Sequence, residues 1–140
     1  MIVKQVSVFV ENTVGRLADL TKILTDNNID LKASTIAETV DFGILRCIVE
    51  EPEKAVKILV ENGFSASISE VTGVSLEDKP GGLHKVLAVL AEAGIAVNYI
   101  YSTIKSAEGK AIIMMKTSDA AKAEEVLKAS GVELAGADSF

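Results

Sequence analysis

Glu11-Asn12-Thr13-Val14-Gly15-Arg16-Leu17, with its echo Glu77-Asp78-Lys79-Pro80-Gly81-Gly82-Leu83, is the stretch whose reading decides the fold of this chain. Each copy follows a short apolar run with strand character, residues 6–10 or 74–76, and precedes an amphipathic run with helix character. Each therefore reads as a strand-to-helix turn. Anions and small polar molecules bind at such turns, because the first amides of a helix are unpaired and carry the positive end of its dipole. A glycine there lets a ligand come close to the backbone.

Working outward from the first turn, residues 4–11 alternate, with Val6, Val8 and Val10 on one side and Ser7 and Phe9 on the other, which predicts a half-buried strand. Leu17, Leu20, Ile23 and Leu24 recur at three- and four-residue steps and predict a helix over 16–27, ended by Asn27-Asn28. Residues 29–37 read as a second strand and 43–50 as a third. Glu51-Pro52 opens a second helix that turns Ala55, Ile58 and Leu59 inward and stops at Asn62-Gly63. Residues 65–71 read as a fourth strand.

The pattern then restarts. An offset of 66 residues carries Gly15 to Gly81, Leu20 to Val86, Leu24 to Leu90, Ile29 to Ile95 and Gly43 to Gly109, and an offset of 68 carries Leu59 to Leu127 and Gly63 to Gly131. So long a period is not a solenoid unit but a tandem duplication, with domains expected at 1–71 and 72–140. Each copy reads strand, helix, strand, strand, helix, strand. Right-handed crossovers make this a ferredoxin-like α+β sandwich, an antiparallel sheet in order 4-1-3-2 with its helices on one face. In the later copy Ala111-Ile112-Ile113-Met114-Met115 runs without alternation, which predicts a strand buried on both faces. The helices cover only one, so a second copy of the protein is expected over the other, as a homodimer.

Composition narrows the function. A formal charge of −6 without a Lys/Arg cluster argues against nucleic acid. No apolar run reaches membrane-spanning length, and the alternating start is no signal peptide, so the expected location is cytoplasmic. The single cysteine, Cys47, lies in an apolar strand-like run and reads as a buried structural thiol. His84 is the only histidine, which leaves no metal cluster and predicts neither metal nor cofactor. Tyr99 and Tyr101, two apart on a strand, share one face and read as interface or core. No nucleophile elbow, phosphate loop or dinucleotide fingerprint occurs, so no enzyme is expected.

A turn of the form Asn/Asp-x-(Pro)-Gly between strand one and helix one of such a unit, followed by a helix leading to Gly/Asn-Ile-x-(Val/Leu), resembles the ACT domain. Asp78-Lys79-Pro80-Gly81-Gly82-Leu83 with Ala93-Gly94-Ile95-Ala96-Val97 is close to that pattern; Asn12-Thr13-Val14-Gly15-Arg16-Leu17 with Asn28-Ile29-Asp30-Leu31 departs from it at Val14, where proline is usual. The resemblance spans essentially the whole chain as two ACT-like units. It implies a regulatory module that binds a small molecule, most often an amino acid, and partners that include a regulated enzyme. It also implies units paired through their strands two, with ligand between the turn of one unit and its neighbour, and hence a continuous sheet with four helices on one side.

Under that resemblance the ligand-contacting residues are Asn12, Val14, Gly15, Arg16 and Asp30, with Asp78, Pro80, Gly81 and Asn98. By residue chemistry alone Asn12 and Asp78 could equally serve as turn or cap residues. The resemblance favours ligand contact for Asn12, whose amide both donates and accepts. Arg16 and Asp30 have Gly82 and Ala96 as counterparts, so the first turn is expected to hold the stronger site. The alternatives are an acylphosphatase-like hydrolase using Arg16 and Asn98, and a purely structural pairing module.

Overall fold

The computed structural model describes residues 2–103 and 109–139. The strands are β1 (Ile2–Glu11), β2 (Ala33–Glu38), β3 (Phe42–Ile48), β4 (Ser65–Glu77), β5 (Val97–Ser102), β6 (Lys110–Thr117) and β7 (Glu133–Ala135); the helices are α1 (Arg16–Asp26), α2 (Pro52–Glu61), α3 (Gly82–Glu92) and α4 (Ala120–Ala129). They form two compact units, Lys4–Ser69 and Glu70–Phe140, the second also including Met1–Val3. The fourth strand of the first repeat and the first strand of the second, separate in the sequence reading, are one strand, β4. Gly73 lies within it, at a spot where a Cβ would stand 2.3 Å from the Ala135 carbonyl oxygen. The glycine there permits a close backbone approach and does not break the strand.

In the N-terminal unit the strand order is β4-β1-β3-β2. β1 and β3 pair antiparallel with Val8 opposite Leu45 and Val6 opposite Cys47. These four side chains face the helices and join Leu20, Leu24, Ala55, Leu59 and Phe64 in one core. A fully buried leucine such as Leu20 or Leu59 contributes about 1.5–3 kcal/mol relative to leaving it exposed. In the C-terminal unit the order is β7-β4-β6-β5, and Val74, Val86, Leu90, Ile113, Met115 and Leu127 form the equivalent core. Both units thus show the 4-1-3-2 order expected of the ferredoxin-like sandwich. β2 has β3 as its strand neighbour and β5 has β6. Within its own unit each strand two is therefore a sheet edge, with a single described strand neighbour.

All four helices end in the same way. A residue at positive φ, Asn28, Gly63, Gly94 or Gly131, turns the chain so that the following Ile29, Phe64, Ile95 or Val132 donates its N–H to the carbonyl of Leu24, Leu59, Leu90 or Leu127. This C-terminal cap places an apolar residue just beyond the helix against the last turn. It also explains why strand two begins at Ala33 and not at residue 29: Ile29 is apolar because it closes the helix.

β6 is buried on both faces, with Met114 and Met115 fully covered and Ile112 and Ile113 under a tenth exposed. Met114 lies over Gly73, its Cε 2.7 Å from where a glycine Cβ would stand, opposite Tyr101 in the register. This burial is complete in a single chain, so the apolar run of β6 does not itself require a second copy.

Candidate functional site

The two turns share a backbone, bond for bond. Asn12 N–H donates to the Asp41 carbonyl at 3.0 Å and Asp78 N–H to that of Gly109 at 2.9 Å; Arg16 N–H reaches Thr13 and Gly82 N–H reaches Lys79; Asp19 N–H reaches Gly15 and Lys85 N–H reaches Gly81. Gly15 at φ 85° precedes α1 and Gly81 at φ 89° precedes α3, both left-handed. Only glycine takes this conformation without strain. Neither helix start is capped by a side chain, in contrast to α4, whose Asp119 accepts from Lys122 N–H at 3.0 Å. The first amide of each helix, of Arg16 or Gly82, is taken within the turn, and those that follow it, of Leu17 and Ala18 in α1 and of Leu83 and His84 in α3, are left for an acceptor from outside the turn.

The candidate residues separate into distinct places. Asn12, Val14 and Gly15 are exposed around the first turn, and Asp78, Pro80 and Gly81 around the second. The cap position before each helix is a glycine, Gly15 or Gly81, and not Asn12 or Asp78. Arg16 points elsewhere: its guanidinium carbon lies 3.9 Å from the centroid of the Phe64 ring, a cation–π contact. Asp30 lies beyond the far end of α1 in a shallow depression with Thr25, Asn28 and Ile29; an eleven-residue helix puts it about 16 Å from its own unit's turn. Asn98 is exposed near the start of β5, beside the Val97–Thr117 pairing, at the end of the C-terminal unit's sheet away from the Glu77–Lys110 pair that precedes the second turn.

Topology, not composition, brings the missed residues to the first turn. A strand that follows a helix starts where the helix ends, so the far end of β2 returns to the turn. There Ile36, Glu38 and Gly43 join Val10, Glu11, Asn12, Thr13 and Leu17 around a depression of about 130 Å³. The chain order alone would have pointed to Glu38 in preference to Asp30. In the C-terminal unit a larger cleft of about 270 Å³ opens beside the second turn, lined by Leu76, Glu77, Gly82, Lys85, Lys110 and Glu133 among others.

The charges of this second region are mixed. Lys79 hydrogen-bonds Glu77 and, with Lys85 and Lys110 acting at longer range, holds its carboxyl below the usual carboxylate range. Lys110 Nζ meets Glu133 Oε2 at 2.6 Å. Among the described residues no group of three His, Cys, Asp or Glu side chains could hold a metal ion. Burial pushes the Cys47 thiol up to about 12, which leaves it protonated and unreactive at neutral pH. Arg16 and Asn98, the pair needed for the hydrolase alternative, belong to different units. No described helix is long and apolar enough to cross a membrane.

Comparison with known proteins agrees with this fold. A protein from Bacteroides thetaiotaomicron is similar in structure over 99% of this chain and 95% of its own, at 42% identity and a TM-score of 0.92. The regulatory subunit of aspartate kinase from Thermus thermophilus, in its ligand-free form, is similar over 91% of this chain and 90% of its own, at 16% identity and a TM-score of 0.66. Aspartokinase alpha and beta subunits are similar at 21% identity and a TM-score of 0.57, over 93% of this chain and 96% of that one. No curated protein matches in sequence. The family model of the ACT domain pair matches residues 1–138, and the chain belongs to that family.

Proposed function

We propose that this protein is a non-catalytic regulatory module that binds a small molecule, an amino acid before other classes, and passes its presence to an enzyme partner or to its own assembly. The observation that carries the reading is the pair of turns with one hydrogen-bond pattern, each with a left-handed glycine and a helix start that no side chain caps. Such a start accepts a carboxylate through backbone amides and reads no side chain. The first turn, with Asn12, Val14 and Gly15 beside Glu38, offers a donor and a carboxylate for the two charged ends of an amino acid. The second, with Asp78, Pro80 and Gly81, favours an ammonium. Asp30 and Asn98, set apart from the turns of their own units, serve only if a neighbouring unit supplies the turn.

The reading places the protein in the cytoplasm, away from nucleic acid and membranes, with domains at 1–71 and 72–140. Similarity to the regulatory subunit of aspartate kinase supports an amino-acid-responsive partner enzyme. Thermal-shift screening against the twenty amino acids tests it, because a ligand that binds only the folded state raises the melting temperature. A melting curve unmoved by all of them would count against the amino acid class, and acyl phosphate turnover lost in Arg16→Ala would favour the hydrolase.

A further inference from the structure

Of the five asparagines in this chain, Asn62 alone is followed by glycine. The pair stands at the end of α2, where Asn62 is the C-terminal cap and Gly63 the residue at positive φ. Both are exposed. Asparagine before glycine is the sequence in which the next backbone nitrogen most readily attacks the side-chain amide, because no Cβ crowds that nitrogen. The other three helix ends lack the pair and carry Asn27-Asn28, Ala93-Gly94 and Ser130-Gly131.

The cap keeps the reacting groups apart. Asn62 Nδ2 donates to the Ile58 carbonyl at 2.8 Å, which holds the side chain back along the helix. Gly63 N–H, whose nitrogen is the nucleophile, donates to the Val60 carbonyl at 3.1 Å. Closing a succinimide ring requires Asn62 Cβ and the Gly63 nitrogen on one side of the Cα–C bond. At ψ 16° that nitrogen lies nearly eclipsed with the Asn62 nitrogen instead, and Cβ is turned away from it. Phe64 anchors the arrangement: its N–H reaches the Leu59 carbonyl at 3.0 Å, and its ring is buried in the core beneath Arg16.

We propose that Asn62 is a site of covalent modification by deamidation, held unreactive by the folded cap and committed when the last turn of α2 opens. Helix ends open far more readily than whole domains unfold. With the turn open, the Gly63 nitrogen bonds to Asn62 Cγ, the Cγ–Nδ2 bond breaks, and ammonia leaves with the proton from Gly63. Water then opens the succinimide at either carbonyl, giving aspartate or isoaspartate. Neither product rebuilds the cap. A carboxylate has no N–H to donate to the Ile58 carbonyl, and its charge is unfavourable at the negative end of the helix dipole. Isoaspartate also adds a carbon to the main chain ahead of Phe64 and so displaces the ring on which Arg16 lies. The modification is therefore a one-way mark of opening, placed where it disturbs the side chain at the start of α1.

The test is incubation of the full-length protein in mildly alkaline buffer made with heavy-oxygen water, at increasing urea, followed by peptide mass spectrometry. Each product carries the heavy label. In unfolding urea Asn62 is expected to convert faster than Asn12, Asn27, Asn28 or Asn98. In the folded protein its rate is scaled by the fraction of time the turn is open, a reduction of about tenfold or more. Below the unfolding transition the rate should change little with urea, because opening one turn exposes little surface. Phe64→Ala, which removes the anchor, brings the folded rate toward that of the unfolded chain. Asn62→Asp, one product installed directly, lowers the melting temperature. Equal rates in folded and unfolded protein, an Asn62 no faster than the other asparagines in urea, or a folded Phe64→Ala no faster than wild type overturns the proposal. So does a rate that climbs with urea as steeply as global unfolding, or an unmoved melting temperature in Asn62→Asp. Should Phe64→Ala not fold, the wild-type rates across urea decide alone.

Discussion

The guanidinium of Arg16 and the ring of Phe64 lie 3.9 Å apart, and this one contact gives two repeats of the same backbone different surfaces. Arg16→Ala removes the cation and uncovers the ring, which is 5% exposed in the native chain. Stability is expected to fall by about 0.5–2 kcal/mol, the range for a cation–π contact from exposed to desolvated, measured by urea unfolding. An unchanged midpoint would show that the contact contributes nothing.

Two glycines are expected to be irreplaceable for steric reasons. A Cβ at Gly73 would stand 2.3 Å from the Ala135 carbonyl oxygen and at Gly82 2.1 Å from that of Glu77. Forcing a methyl group into either place costs about 1–3 kcal/mol or more. Gly73→Ala and Gly82→Ala should therefore lower the melting temperature, while an alanine at Ser65, an exposed position, should not.

If the first turn contacts an amino acid as proposed, Asn12→Ala weakens binding there by ~1–2 kcal/mol, the worth of a charge-assisted bond. Asp78→Ala, whose carboxylate repels the ligand's own, should cost less. Calorimetric titration of the two variants side by side reads the difference, and equal losses would defeat the asymmetry.

Cys47 gives a pH dependence with a defined sign. Burial raises its thiol from 9.0 to about 12 in the folded protein. Between these values the folded state keeps a proton that the unfolded chain releases. Stability from the buried neutral thiol is therefore full below pH 9.0 and declines as pH rises toward about 12. Melting temperatures of the wild type should fall more steeply over that window than those of Cys47→Ala, and a parallel decline would contradict the assignment.

The N-terminal unit has an apolar surface that fits the proposed homodimer. Phe9 and Phe42 pack with ring centroids 5.6 Å apart and remain 53% and 39% exposed. Sedimentation at micromolar concentration should show a dimer that Phe9→Asp disrupts. A monomer in the wild type would defeat the proposal.

The sequence by itself determined the duplication, the order of elements and the two turns, because each depends on local periods and on residues with unusual backbone freedom. Alternation at Val6, Val8 and Val10, the helical spacing of Leu17, Leu20 and Leu24, and the positions of Gly15 and Gly81 need no distant partner to be read. Tertiary structure alone decided which side chains meet. That the Arg16 guanidinium lies on Phe64, 48 residues away, is visible only in the fold. That Asp30 lies at the end of α1 away from its own unit's turn follows from the length of the helix. Glu38 and Ile36 reach the first turn only through the antiparallel return of β2 along β3. The cleft beside Gly82 takes part of its lining from Val132, fifty residues on. Contacts of this kind depend on packing between elements distant in sequence, where a period along the chain carries no information.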